Sequence, residues 1–307
     1  MAQTPNYSDP EVLARIAGLG LRARRVVEGT ISGLHRSPFH GFNVEFAEYR
    51  EYSPGDDLRR LDWRVFGRTD RYYIKQFEEE SNLRSTIVLD ASASMRYGRG
   101  PLNKFDYAAT VVAALATLLV GQQDPVALAL FDSQQRTLLP PAATQAQLVR
   151  IVEELESSRP DRQTQLGPVL QTLSDKLSKR GLVIVVSDLL TDLEPFYDGL
   201  SRLQYRGHEI MVLQVLDRDE LELPFDDLVL FKDIEGNEEL FGEPWVFRNA
   251  YRAAMREFID GVREHCGARA IDYLLLRTDE NLGAALSHYL HSRERMQPFG
   301  QHKHGKL

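Results

Sequence analysis

Within residues 85–95, STIVLDASASM, one carboxylate and two hydroxyls recur at every second position: Asp90, Ser92 and Ser94. All are oxygen donors, with no sulfur and no imidazole among them. That set suits a hard cation such as Mg²⁺ or Mn²⁺, which prefers oxygen ligands. The run before them, Thr86, Ile87, Val88 and Leu89, is apolar, rich in β-branched residues and stops abruptly at Asp90. It reads as a strand buried on both faces and followed by a turn. A second run, LVIVV at 182–186, is the most continuous strand signal in the chain and stops at Ser187 and Asp188. Strands this apolar belong at the centre of a sheet, which puts Asp90 and Asp188 on one crest. In an open α/β sheet, ligands bind outside the carboxyl ends of the strands where strand order reverses. Thr164 sits in a loop that ends at a helix start on that same side. A lone hydroxyl there can cap the helix or bind a cation; beside the other four residues, the cation reading is preferred.

The elements that must position these groups alternate between β and α from residue 85 onward. Residues 104–122 are apolar nearly all round, as in a helix covered on most sides. VALALF at 126–131 is a second buried strand, and 136–139 a short edge strand stopped by Pro140 and Pro141. Helices follow at 145–158 and from 164, then the strand at 182–186, a helix at 194–205 and a strand at 208–216. Residues 231–240 resemble a hairpin insertion around Glu235-Gly236-Asn237-Glu238. A long helix over 245–266, a strand at 271–276 and a helix over 281–291 complete the pattern. The expected fold class is α/β: a mostly parallel central sheet with helices on both faces. Before it, residues 33–84 are polar, aromatic and dense in charge, with alternation at 41–52 and 71–80. They read as a small β-rich subdomain, preceded by a basic amphipathic helix over 11–29.

Composition narrows the possible functions. A net charge of −8 argues against a general nucleic-acid footprint. Cys266 is the only cysteine, so an internal disulfide or thiolate metal cage is impossible. The polar residues 1–10 show no secretory signal. The apolar run 108–121 is shorter than the roughly 20 residues a transmembrane helix needs. A soluble cytoplasmic protein is expected.

At this point the motifs become specific. D-A-S-A-S at 90–94, Thr164, and Asp188 in V-S-D-L-L resemble the metal-ion-dependent adhesion site of von Willebrand factor A domains. The chain as a whole resembles the domain-of-unknown-function 58 family, whose members carry such a domain. The likeness runs from about residue 33 to 293 and includes G-L-H-R-S at 33–37, E-F-A-E-Y-R-E-Y-S-P-G-D-D-L-R at 45–59 and L-D-W-R at 61–64. By that resemblance Ser92, Ser94 and Thr164 touch Mg²⁺ through their hydroxyls, and Asp90 and Asp188 act mainly through bound waters. The implied organisation is an N-terminal helix over 1–32, the β-rich subdomain over 33–84, a von Willebrand factor A-like domain over 85–293 and a disordered tail over 294–307. The implied function is a non-enzymatic, metal-dependent protein-binding module. Its partner by resemblance is a MoxR-type AAA+ ATPase, with maturation of unidentified client complexes as the shared task. Arg59, Arg60 and Asp62 are a second candidate contact surface, although turn and cap roles explain most residue types around them.

Two other functions compete. A structural interaction protein would use its sheet face with the metal incidental. A Mg²⁺-dependent phosphohydrolase would want a second acid at position 92, where a serine stands, and a cation to clamp phosphate, and no Lys or Arg obviously joins the crest. Nucleotide-binding glycine loops follow none of the expected strands.

Overall fold

The computed structural model describes residues 45–51, 72–78, 84–161, 163, 165–234 and 239–283. Thr164, the candidate contact residues Arg59, Arg60 and Asp62, the N-terminal helix and the tail lie outside the described residues. The residues group into two compact units, one formed by Phe39–Leu83 and the other containing Arg84–Leu307. In the first, strands β1 (Glu45–Glu51) and β2 (Tyr73–Glu78) form an antiparallel ribbon with a register shift between Phe46 and Glu48. Both fall where alternation predicted extended chain.

The second unit is built on a six-stranded sheet. Its strands are β3 (Ser85–Asp90), β4 (Val126–Phe131), β5 (Gln135–Ala142), β6 (Leu182–Ser187), β7 (Glu209–Leu216) and, after a separate hairpin, β10 (Asp272–Arg277). Their order is β10-β7-β6-β3-β4-β5, parallel throughout except for β5, which runs antiparallel to β4. The chain first builds outward from β3 to β4 and β5, then crosses to β6 and builds the other way. Strand order therefore reverses between β3 and β6, the two most apolar runs in the sequence. Every residue of β3, β4 and β6 is buried.

Helices cover both faces. On one, α1 (Lys104–Gly121) packs on β3, β4 and β7 and against α2 (Gln145–Ser157). On the other, α3 (Leu166–Lys176), α4 (Leu193–Tyr205) and, after the short α5 (Arg218–Glu222), α6 (Pro244–Ala268) share a core with Val88, Ala129, Phe131, Val183, Val185 and Val212. Such alternate residues point to one face because side chains alternate along a strand. The helix α1 is long and apolar enough to cross a membrane by composition, unlike the shorter run read from the sequence, but 78% of it is buried in this unit as a core helix.

The edge strand differs from expectation. Residues 136–139 were to end at the prolines, yet β5 continues through Pro140 and Pro141 to Ala142. It lies at the sheet edge, where a missing N–H leaves no ladder bond unmade. Gln147 Nε2 donates to the Pro140 carbonyl at 2.9 Å and fastens the segment to α2.

Helices α3 and α4 approach closely because a glycine on each meets the other. A Cβ on Gly167 would lie 2.5 Å from backbone atoms of Pro195, and one on Gly199 2.7 Å from Leu170 Cβ. Backbone cannot step aside cheaply, so Gly167→Ala should lower stability by about 1–3 kcal/mol, the usual cost of overpacking. Urea denaturation checks this; an unchanged midpoint would mean the helices are free to part.

Candidate metal centre

Asp90 is the last residue of β3 and is wholly buried. Its Oδ1 accepts from Ser92 N at 2.9 Å, closing a turn of the type Asp favours. Its Oδ2 accepts from Ser187 Oγ at 2.6 Å, so the hydroxyl ending β6 holds the acid ending β3. The turn then enters a short 3-10 segment, Ala93–Arg96. This brings Ser92 Oγ within 3.0 Å of Ser94 Oγ. Ser92 is buried and Ser94 half-buried, so the group opens to solvent on the Ser94 side.

Asp188 follows β6 and is also fully buried. Its Oδ1 accepts from Leu190 N at 3.1 Å, and its carbonyl from Gln214 Nε2 at 3.0 Å. Gln214 is steadied in turn by Tyr273 OH at 2.6 Å. Between these bonds Leu189 adopts φ +60°. That left-handed conformation costs a non-glycine residue on the order of 1 kcal/mol, and such residues concentrate at functional sites.

The strand-end reading placed Asp90 and Asp188 together, and the crest does so: β3 and β6 are hydrogen-bonded neighbours. Two other strand-end acids have structural roles. Asp132 is bound by Arg136 Nε at 2.5 Å. Asp217 caps α5 in a reciprocal capping box with Glu220 and accepts from Thr278 Oγ1 at 2.7 Å. Asp161 N donates to the Ala91 carbonyl and Gln165 N to the Asp132 carbonyl, which ties residues 161 and 165 to the ends of β3 and β4.

The sequence reading left this crest without a lysine or arginine, and the structure corrects that. Lys104, first residue of α1, is completely buried and donates from Nζ to Asp188 Oδ2 at 2.7 Å and Glu220 Oε1 at 2.6 Å. Lys104 is the only basic residue of this helix, most of whose residues are buried, but its partners lie far away in sequence. The ammonium is committed to two carboxylates and has no exposure, so it is placed to hold Asp188 rather than to clamp a phosphate.

The electrostatics follow from burial. Burial first, and then the neighbouring Asp188 charge, push the Asp90 carboxyl up to about 7, against the pull of hydrogen bonds from Ser187 and Ser92. For Lys104, burial alone would lower the ammonium, but Asp188 and Glu220 overcome it and hold the pKa above the usual lysine value. Burial raises Glu220 despite its contact with Lys104.

The donor set fits a small divalent cation. Ser92 Oγ and Ser94 Oγ are hydrogen-bonded at 3.0 Å, a separation that neighbouring octahedral ligands at about 2.1 Å from a metal would also have. No cluster of three His, Cys, Asp or Glu side chains competes for a metal among the described residues.

The chain is 28% identical over 298 residues to the uncharacterized protein Rv1480 of Mycobacterium tuberculosis, covering 94% of this chain and 92% of that protein. Similar solved structures include the conserved hypothetical protein BatB from Bacteroides thetaiotaomicron, at 16% identity, 69% of this chain, 99% of that one and a TM-score of 0.48. Another is the SpRpn10 VWA domain, at 13% identity, 73% of this chain, 99% of that one and a TM-score of 0.41. Residues 48–259 match the model of one family, and the chain belongs to it: the protein family of unknown function DUF58.

Proposed function

We propose that this chain is a non-enzymatic protein-binding module that docks a carboxylate of its partner at a divalent cation held by Asp90, Ser92, Ser94, Thr164 and Asp188. The observation that carries this reading is the meeting of two buried strand-end carboxylates, Asp90 and Asp188, on adjacent strands, with the hydrogen-bonded hydroxyls of Ser92 and Ser94 in the turn after Asp90. A bound Mg²⁺ or Mn²⁺ supplies an electrophilic position that takes an Asp or Glu side chain in exchange for a water. Ser92 and Ser94 offer neutral oxygens, which leave such a position under-neutralised. Ser187 and the Ser92 amide aim Asp90, and Lys104 and the Leu190 amide aim Asp188. Ser92 stands where the D-x-D acid of a phosphohydrolase would be, and Lys104 is spent on carboxylates, so a binding role is the better fit.

The proposed partner is a MoxR-type AAA+ ATPase, on the family resemblance set out above. The joint task is maturation of client complexes, and the cytoplasm is the compartment in which the pairing is placed. The test is capture of partners by the tagged full chain in millimolar Mg²⁺ and in EDTA, with Asp90→Ala beside it. An ATPase of this type retained with metal, and lost in EDTA and with Asp90→Ala, is the expected result. Equal recovery under all three conditions would remove the metal from the mechanism.

A further inference from the structure

Ser94 belongs to two places at once. It is the outer hydroxyl of the candidate metal centre, and it lines one end of a cleft of about 500 Å³. That volume lies within the roughly 300–1,000 Å³ of ligand pockets. Beyond Ser94 and Leu190 the lining is mainly apolar and aromatic: Tyr97, Leu223, Phe225, Phe231, Ile234 and Tyr251. Leu190 and Ile234 are 39% and 38% exposed, so large apolar side chains stand open to water at its mouth.

The far wall is a built surface. It includes Phe231 and Lys232 of β8 (Val229–Lys232), which pairs antiparallel with β9 (Glu239–Gly242) in a hairpin inserted between α5 and α6. The Phe231 ring meets Phe225 edge-on at 6.3 Å and Phe247 at 6.1 Å. Helix α6 ties down the chain along the cleft by successive carbonyls. Tyr251 OH donates to Glu220 O at 2.7 Å, Arg252 Nε to Glu222 O at 2.6 Å, and Arg248 to Leu223 O and Phe225 O at 3.0 and 2.6 Å. Glu220 also lines the cleft and holds Lys104, which holds Asp188. The cleft and the metal centre thus share Ser94 directly and are braced to each other through one buried lysine.

The geometry points to a two-part recognition site: a partner segment places an Asp or Glu at the metal centre and a neighbouring large apolar side chain in this cleft. This rests on the metal-docking reading above and specifies the partner's chemistry. The occupant is a polypeptide because the centre is read above as one that docks a partner protein's carboxylate, and the adjoining cleft asks for a second, apolar side chain. The metal centre takes an anionic oxygen. The cleft is mainly apolar, and the charged side chains that line it are three acids, Asp219, Glu220 and Asp233, against one base, Lys232. The two places adjoin at Ser94, so a ligand that enters both carries its acid and its apolar side chain close together in sequence. A wall fixed before binding costs little ordering when the side chain enters.

The test is selection of phage-displayed random peptides on the full chain in millimolar MgCl₂, with elution in EDTA. Enriched peptides should pair Asp or Glu with Leu, Ile, Met, Phe or Trp at one short, recurring separation. Replacing that apolar residue by Ala in the synthetic peptide should weaken binding about 10-fold or more. Ile234→Arg, at the exposed mouth, should weaken it as much without moving the melting temperature. Acidic, Mg²⁺-dependent peptides with no apolar preference and full affinity for Ile234→Arg would overturn the cleft and leave metal docking intact. Peptides indifferent to EDTA, or no enrichment in Mg²⁺, would overturn both.

Discussion

Lys104→Ala should destabilise the metal-free protein by about 3–5 kcal/mol, the usual loss when one member of a buried ion pair is removed. Lys104 and Asp188 are both fully buried, and Glu220 is only 15% exposed at its side chain. Without the ammonium, the Asp188 and Glu220 carboxylates lose the charge that pairs with both. The loss is larger than that of the aliphatic stem, because the unpaired carboxylates stay in the low-dielectric interior. Lys104→Met, which keeps most of the stem, should therefore be nearly as damaging. Urea unfolding in EDTA reads the effect. Saturating Mg²⁺ should recover part of it, since a ligand bound by the folded state alone stabilises by mass action. A loss below about 1 kcal/mol would place the pair among those worth little.

Asp90→Asn should do the opposite in the absence of metal. The Asp90 carboxyl, ordinarily near 3.8, stands at about 7 in the fold because of burial and then of Asp188. Between those values the folded protein binds a proton that the unfolded chain has released. Metal-free stability should therefore fall as pH rises from about 4 to about 7, by on the order of 1 kcal/mol per pH unit, and level off above. Asparagine keeps an acceptor for the Ser92 amide and carries no charge, so the variant should lack this slope and be the more stable protein at pH 8. Added Mg²⁺ should flatten the wild-type slope and leave the variant untouched, because a cation competes with the proton for Asp90. A residue whose removal stabilises the empty fold while ending metal binding is kept for function rather than stability. Thermal melts in EDTA from pH 4 to 8 check this; a less stable variant at pH 8 would make Asp90 a structural acid.

Much of the crest was legible because burial writes itself locally. Unbroken β-branched runs mark β3 and β6 as central, and their ends place Asp90 and Asp188 side by side. Ser92 and Ser94 were legible as oxygen donors because turn residues so close in sequence cannot be far apart in space. Lys104 was hidden for the opposite reason. Its partners lie 84 and 116 residues away, and helix periodicity says which face is covered but not by what. The capping box Asp217–Glu220 was present as a local signature, yet only the fold shows that Glu220 also anchors Lys104. Pro140 and Pro141 misled because a proline stops an interior strand and is tolerated at an edge. The cleft had no local signal at all, since its walls come from the turn after β3, from α5 and α6, and from an inserted hairpin.

The most direct measurement is a Mn²⁺ titration of the metal-free full chain, followed by electron paramagnetic resonance at pH 8, with Asp90→Ala and Ser94→Ala alongside. The account predicts one saturable Mn²⁺ per chain, displaced by excess Mg²⁺ and lost or greatly weakened in both variants. No saturable site, or one that both variants retain at full strength, would contradict it.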